Sequence, residues 1–219
     1  LFLVGIFYDS WQMGVGAVLA TCLGTLTAQV LKYDKDEINM GLYGFSPALV
    51  GVALTAMFEE SAAIWVAIII GSILAAVVQH IFIVKKIPVF TLPFILITWI
   101  IVFILHSATN IPASPAISDP SMFAKELNDF GTSTYGFGEV IFQGSFLAGV
   151  LFFIGVFIGS PVASLYGLAA SITAAWLALM FDEPLLPVHV GLFSYNAVLC
   201  AIVFAGTERK DGLIVLISC

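Results

Sequence analysis

Charge is what this chain most conspicuously lacks. Lys and Arg together number 7 and Asp and Glu 14 in 219 residues, so only 10% of side chains are charged, against about 25% in soluble domains. With a mean hydropathy of +1.11, an ordinary soluble domain is excluded. The few cations form no basic face, so no nucleic-acid partner is expected. Alternating apolar–polar runs of strand length are missing as well, which argues against a β-barrel. Cys22, Cys200 and Cys219 stand in or beside apolar runs at unrelated spacings; they carry no metal or redox pattern and read as buried, inert thiols. His80, His106 and His189 are scattered near span ends and read as interfacial, so neither metal nor cofactor is expected. No Asn-x-Ser/Thr acceptor occurs. The chain opens on Leu1-Phe2-Leu3, without an initiator Met or a signal-peptide n-region. It closes in an apolar run, Gly212 to Cys219, that is too short to span, so a piece of a longer protein is expected.

What is present is a series of apolar runs, several of about 18 to 23 residues, the length that crosses about 30 Å of hydrocarbon as helix. The chain therefore reads as an all-α membrane protein, a multi-span helical bundle. Runs are expected at Gly14–Leu31, Gly41–Phe58, Ala62–Val84, Phe146–Ile158, Val162–Met180 and His189–Ala205, with Leu1–Tyr8 as the tail of another. Pro47 should bend or interrupt its run, because proline removes a backbone donor and clashes with the preceding turn. Pro88 and Pro93 bracket the entry to a run ending near His106. That entry is a poor continuous helix and a good broken one, with non-helical backbone tolerated only against protein or a wet cavity. Tyr135–Gln143 is too short to span and reads as re-entrant. Trp11, Trp65, Trp99 and Trp176 read as lipid-facing or interfacial anchors.

One segment occurs twice. Gly41-Leu42-Tyr43-Gly44-Phe45-Ser46 through Val50 recurs 150 positions later as Gly191-Leu192-Phe193-Ser194-Tyr195-Asn196 through Cys200, and the same shift aligns Gly5 with Gly155 and Ser10 with Ser160. This is read as an internal duplication: residues 1–110 as one half, 111–134 as the connection and 135–219 as the other half. Each copy carries an aromatic and a leucine four residues on, Phe45 with Leu49 and Tyr195 with Leu199, which share one helix face. Taken alone, either pair could equally be core packing. Alternating the loops puts Lys32, Lys35, Lys85, Lys86, Arg209 and Lys210 on one side, with Lys125 on the other beside most of the acids. That bias makes the six-cation side cytoplasmic. The two copies then run in opposite directions, as an inverted-topology repeat, an arrangement that places substrate near the midplane between halves.

Ile87-Pro88-Val89-Phe90-Thr91-Leu92-Pro93-Phe94 resembles the Leu-Pro-x-x-Thr-x-Pro-Phe signature of the urea transporter family, with Ile for Leu at the first place. Gly41 to Ser46 and Gly191 to Asn196 resemble its paired Gly-Leu-x-Gly-Phe-Asn segments, with Ser46-Pro47 departing from Asn-x. Gly138-Glu139-Val140-Ile141-Phe142 resembles the Gly-Gln-Val-x-Phe of its re-entrant helix, with Glu139 where the family has glutamine. The resemblance covers essentially the whole chain.

The resemblance implies a multi-pass protein of the cell (inner) membrane, forming homotrimers with one pore per subunit. Urea, or a similar small neutral amide, would move passively through a slot. Phe45 and Leu49 would wall one part of it, Tyr195, Leu199 and Phe142 the others, with the Thr91 hydroxyl at the constriction and Glu139 in the pore. The physical chemistry agrees. Urea is flat and neutral, so apolar faces admit it edgewise while oxygens on the rim replace the acceptors of water, and pore width with lining groups sets selectivity. Pro88 and Pro93 leave backbone carbonyls free to act as such acceptors. The alternatives are a pore for another small amide or ammonia, and an intramembrane enzyme. The chain lacks an Asn-Pro-Ala motif, a pair of pore histidines, and any nucleophile paired with a base.

Overall fold

The computed structural model describes residues 1–114 and 129–218; most of the 111–134 connection, with Asp119, Lys125 and Glu126, and Cys219 fall outside them. The described residues are helical with no strand, apart from one bridge between Phe58 and Ala113. The chain separates into two compact units. One holds α2 (Trp11–Val30), α3 (Lys35–Asn39), α4 (Leu42–Met57), α5 (Ala62–Val84) and α6 (Leu92–Ala108). The other holds α1 (Phe2–Asp9), α7 (Asp129–Glu139), α8 (Phe146–Gly159), α9 (Pro161–Met180), α10 (Leu185–His189), α11 (Tyr195–Phe204) and α12 (Arg209–Ser218). Thus α1, which the sequence division places with the first half, packs in the later unit, its Phe2 ring 4.6 Å from that of Phe152 on α8.

In the first unit, α2 and α5 are each long and apolar enough to cross a membrane, as is α9 in the second. The chain is a helical membrane protein. Ser61 caps the start of α5, its hydroxyl accepting from the Ile64 N–H at 3.4 Å. The buried stripe of α5 recurs at helical spacing, through Ile64, Ile68, Gly71, Ala75 and Gln79. On α6, Ile97, Ile101 and Leu105 turn to the core while Trp99, Ile100, Phe103 and Ile104 lie exposed. A helix apolar on both its inner and outer faces belongs in lipid. Trp11, Trp99 and Trp176 are exposed as anchors should be, and Trp65 is half-buried.

Small residues decide how closely α2 and α4 approach. Gly16, Ala20 and Gly24 repeat every fourth position of α2 and share one face. A Cβ on Gly16 would lie 3.0 Å from the Gly51 carbonyl, and one on Gly51 would lie 2.8 Å from the Ala20 Cβ. Backbones this close are the small-xxx-small packing of membrane helices.

Pro47 does not interrupt its helix: α4 runs through it without a break. The reason is tertiary. Gly24 has no Cβ where the Pro47 ring and the Tyr43 carbonyl lie, so α2 accommodates the ring. Pro88 lies in the non-helical stretch between α5 and α6, and Pro93 lies inside α6. The chain leaves α5 after Val84 and re-enters helix only at Leu92, with Pro93 in the first turn where its missing N–H costs least. The cysteine expectation is also corrected: Cys22 is exposed and Cys200 half-buried. Toward lipid a small apolar thiol carries no burial requirement.

The backbone repeats the 150-residue spacing of the sequence. Trp11–Val30 corresponds to Pro161–Met180, and Lys35–Asn39 to Leu185–His189. Lys32 (φ 58) matches Asp182 (φ 57), and Gly41 (φ 78) matches Gly191 (φ 90), all in the left-handed region. After the glycine the copies part. Helix resumes at once, at Leu42, in the first, whereas Gly191–Ser194 is a turn and helix begins at Tyr195 in the second.

Candidate solute pathway

Each unit contributes its own share of the sequence-predicted residues. In the first, Phe45 and Leu49 lie one turn apart on α4, but their surroundings differ: Phe45 is 50% exposed and Leu49 5%. The start of α4 is fixed from beneath. The Ser46 hydroxyl donates to the Gln79 Oε1 of α5 at 2.7 Å, both side chains being buried. The Tyr43 hydroxyl is hydrogen-bonded to the Glu37 carboxylate at 2.5 Å and to His80 Nδ1 at 2.8 Å. The Tyr33 ring stacks on His80 at 3.5 Å and 6°.

Thr91 is half-buried at the N-cap of α6, and its side chain makes no capping bond. Its carbonyl accepts from the Ile95 N–H at 3.0 Å. Pro88 is exposed and Pro93 buried, with Phe90 between them at φ 41. The Val89 carbonyl, which an N–H at Pro93 would have served, already accepts from the Leu92 N–H at 3.1 Å. The oxygen expected to be free at this break is therefore partly occupied.

In the second unit, Glu139 is the last residue of α7 and half-buried. A tight turn follows. The Ile141 N–H donates to the Gly138 carbonyl and the Phe142 N–H to that of Glu139, at 3.0 and 3.1 Å. Phe142 itself takes φ 59, a conformation costly for an aromatic residue. The turn is held from outside: the Gly144 N–H donates to Asp9 Oδ2 at 3.2 Å, and Ser145 caps α8. Tyr195 opens α11 and Leu199 follows one turn later, both half-buried.

Two glycines let α7 seat against α9 and the start of α11. A Cβ on Gly136 would lie 2.6 Å from Ser171 Oγ and 2.8 Å from Ser194 Cβ; one on Gly191 would lie 2.7 Å from the Gly136 nitrogen. The segment bearing Glu139 and Phe142 is thus packed, backbone against backbone, on the turn leading into Tyr195.

The first unit also carries a recess of about 330 Å³ lined by Gln12, Thr55, Phe58, Glu59, Glu60, Ile64, Trp65 and Ser114. None of the sequence-predicted residues lines it. The sequence reading missed the partners of α4, namely Glu37, Gln79 and His80. The signal available was two polar residues in succession close to the end of an otherwise apolar run.

The family model "UT: Urea transporter" matches residues 1–219. Among curated relatives, urea transporter 1 of Rattus norvegicus is 24% identical over 220 residues, covering 94% of this chain and 57% of the relative. Urea transporter 1 of Ovis aries and of Mus musculus are each 24% identical, over 226 and 224 residues, with the same shares covered. The chain spans little more than half the length of these relatives.

Proposed function

As this chain belongs to the urea transporter family, we propose that it contributes two walls of a passive, channel-like conduit through which urea crosses the membrane. The observation that carries the proposal is the duplicated joint. A left-handed residue, a short helix and a left-handed glycine precede Phe45 in one unit and Tyr195 in the other, at matched positions. Two chemically similar faces, each following a matched joint, suit a flat molecule gripped in two successive slots. In this reading the copies form an inverted repeat, with the halves at 1–110 and 135–219. Phe45 and Leu49 line one slot, and Tyr195, Leu199 and Phe142 line the other. Thr91 offers an oxygen at the constriction, beside Pro88 and Pro93, and Glu139 stands in the pore.

The protein acts as a homotrimer in the cell (inner) membrane, with Lys32, Lys35, Lys85, Lys86, Arg209 and Lys210 on the cytoplasmic side, and it is not an enzyme. Another small neutral amide is the second reading, favoured by Glu139, whose carboxylate would also attract a more polarised or cationic amide.

Urea efflux from proteoliposomes holding the full-length protein, followed by stopped-flow light scattering, is the test. The expected result is fast flux that saturates weakly and ignores imposed ion or proton gradients. Flux no greater than through empty liposomes, or flux that follows a gradient, overturns the proposal.

A further inference from the structure

Four side chains meet at the start of α4, one each from α3, α4 and α5 and one from the connection between α2 and α3, and the conduit reading leaves them without a role. The Glu37 carboxylate can only accept, so the Tyr43 hydroxyl donates its one proton to it. The bond between Tyr43 Oη and His80 Nδ1 must then run the other way, with Nδ1–H donating to the phenol oxygen. The tautomer of His80 is fixed by this logic, and Tyr33 clamps the ring flat by stacking. One residue earlier on α5, Gln79 accepts from Ser46 in a buried bond. Tyr43 and Ser46 are on either side of Phe45 in the chain.

We infer that the adjacent pair Gln79–His80 positions the first turns of α4 and so sets the aperture at Phe45, making these two positioning residues for solute selection. The inference rests on the reading of Phe45 as a slot wall. Two hydrogen bonds from one helix, one buried and one part-buried, hold the chain on both sides of a half-exposed aromatic ring. At the copy before Tyr195, Phe193 stands in place of Tyr43 and has no hydroxyl.

The test measures urea and thiourea permeability of the full-length protein in proteoliposomes. His80→Phe, which keeps the stack and loses the donor, should lower the urea-to-thiourea ratio about threefold. His80→Asn, which returns a donor near Nδ1, should restore the ratio. Gln79→Leu should lower the ratio as His80→Phe does. A folded His80→Phe protein with the wild-type ratio overturns the inference. If His80→Phe fails to fold, a folded Gln79→Leu protein with the wild-type ratio overturns it equally. Wild-type protein that passes no urea sinks the conduit reading, and this inference falls with it.

Discussion

At the scale of single residues, exposure separates side chains that the sequence pairs. Phe45 and Leu49 share a helix face by spacing, yet one is half open and the other is nearly enclosed. Phe45→Ala should therefore loosen discrimination between urea and bulkier amides with little loss of stability. Leu49→Ala should cost about 2–5 kcal/mol of stability, the usual range for opening a cavity in a packed site, and thermal melting of the detergent-solubilised protein separates the two outcomes. At Thr91 the hydroxyl makes no capping bond to α6. Thr91→Val should slow urea flux about threefold to tenfold, the worth of one hydrogen bond of about 0.5–1.5 kcal/mol. Its melting temperature should stay at the wild-type value. Flux equal to wild type would remove Thr91 from the pathway.

Helices and their contacts form the next scale, and here legibility was uneven for physical reasons. Apolar length announced α2, α5 and α9, because a span must satisfy its own backbone. The interruption ahead of Leu92 was equally plain, since proline acts on the turn that contains it. Pro47 leaves its helix uninterrupted because the rule is local while the room for its ring lies on another helix, at Gly24. The Glu37–Tyr43–His80 relay was invisible for the same kind of reason: Tyr43 and His80 are brought together only by the packing of α4 on α5. The glycine contacts between α2 and α4 give an element-scale prediction. Gly51→Leu drives a side chain into the Gly16 carbonyl and should abolish folding of the first unit, seen as loss of the monodisperse peak in size-exclusion chromatography. Gly159→Ala, with nothing within 4 Å of its Cβ, should leave that peak unchanged.

For the whole molecule, the matched joints at Gly41 and Gly191 matter most. The matched spacing was legible because glycine takes a positive φ with least strain, and the same residue stands at both joints. Packing around the two differs, and that was not legible. Nothing lies within 4 Å of a Cβ on Gly41, whereas one on Gly191 meets the Gly136 nitrogen at 2.7 Å. Gly41→Ala should cost about 1–2 kcal/mol from backbone strain alone. Gly191→Ala should cost more, and thermal melts of the two variants should rank in that order. Equal costs would mean that α7 yields to the intruding methyl. The chain thus carries its own control: what a substitution does at one joint, less what its twin does 150 positions away, isolates the share of stability owed to surroundings from the share owed to conformation.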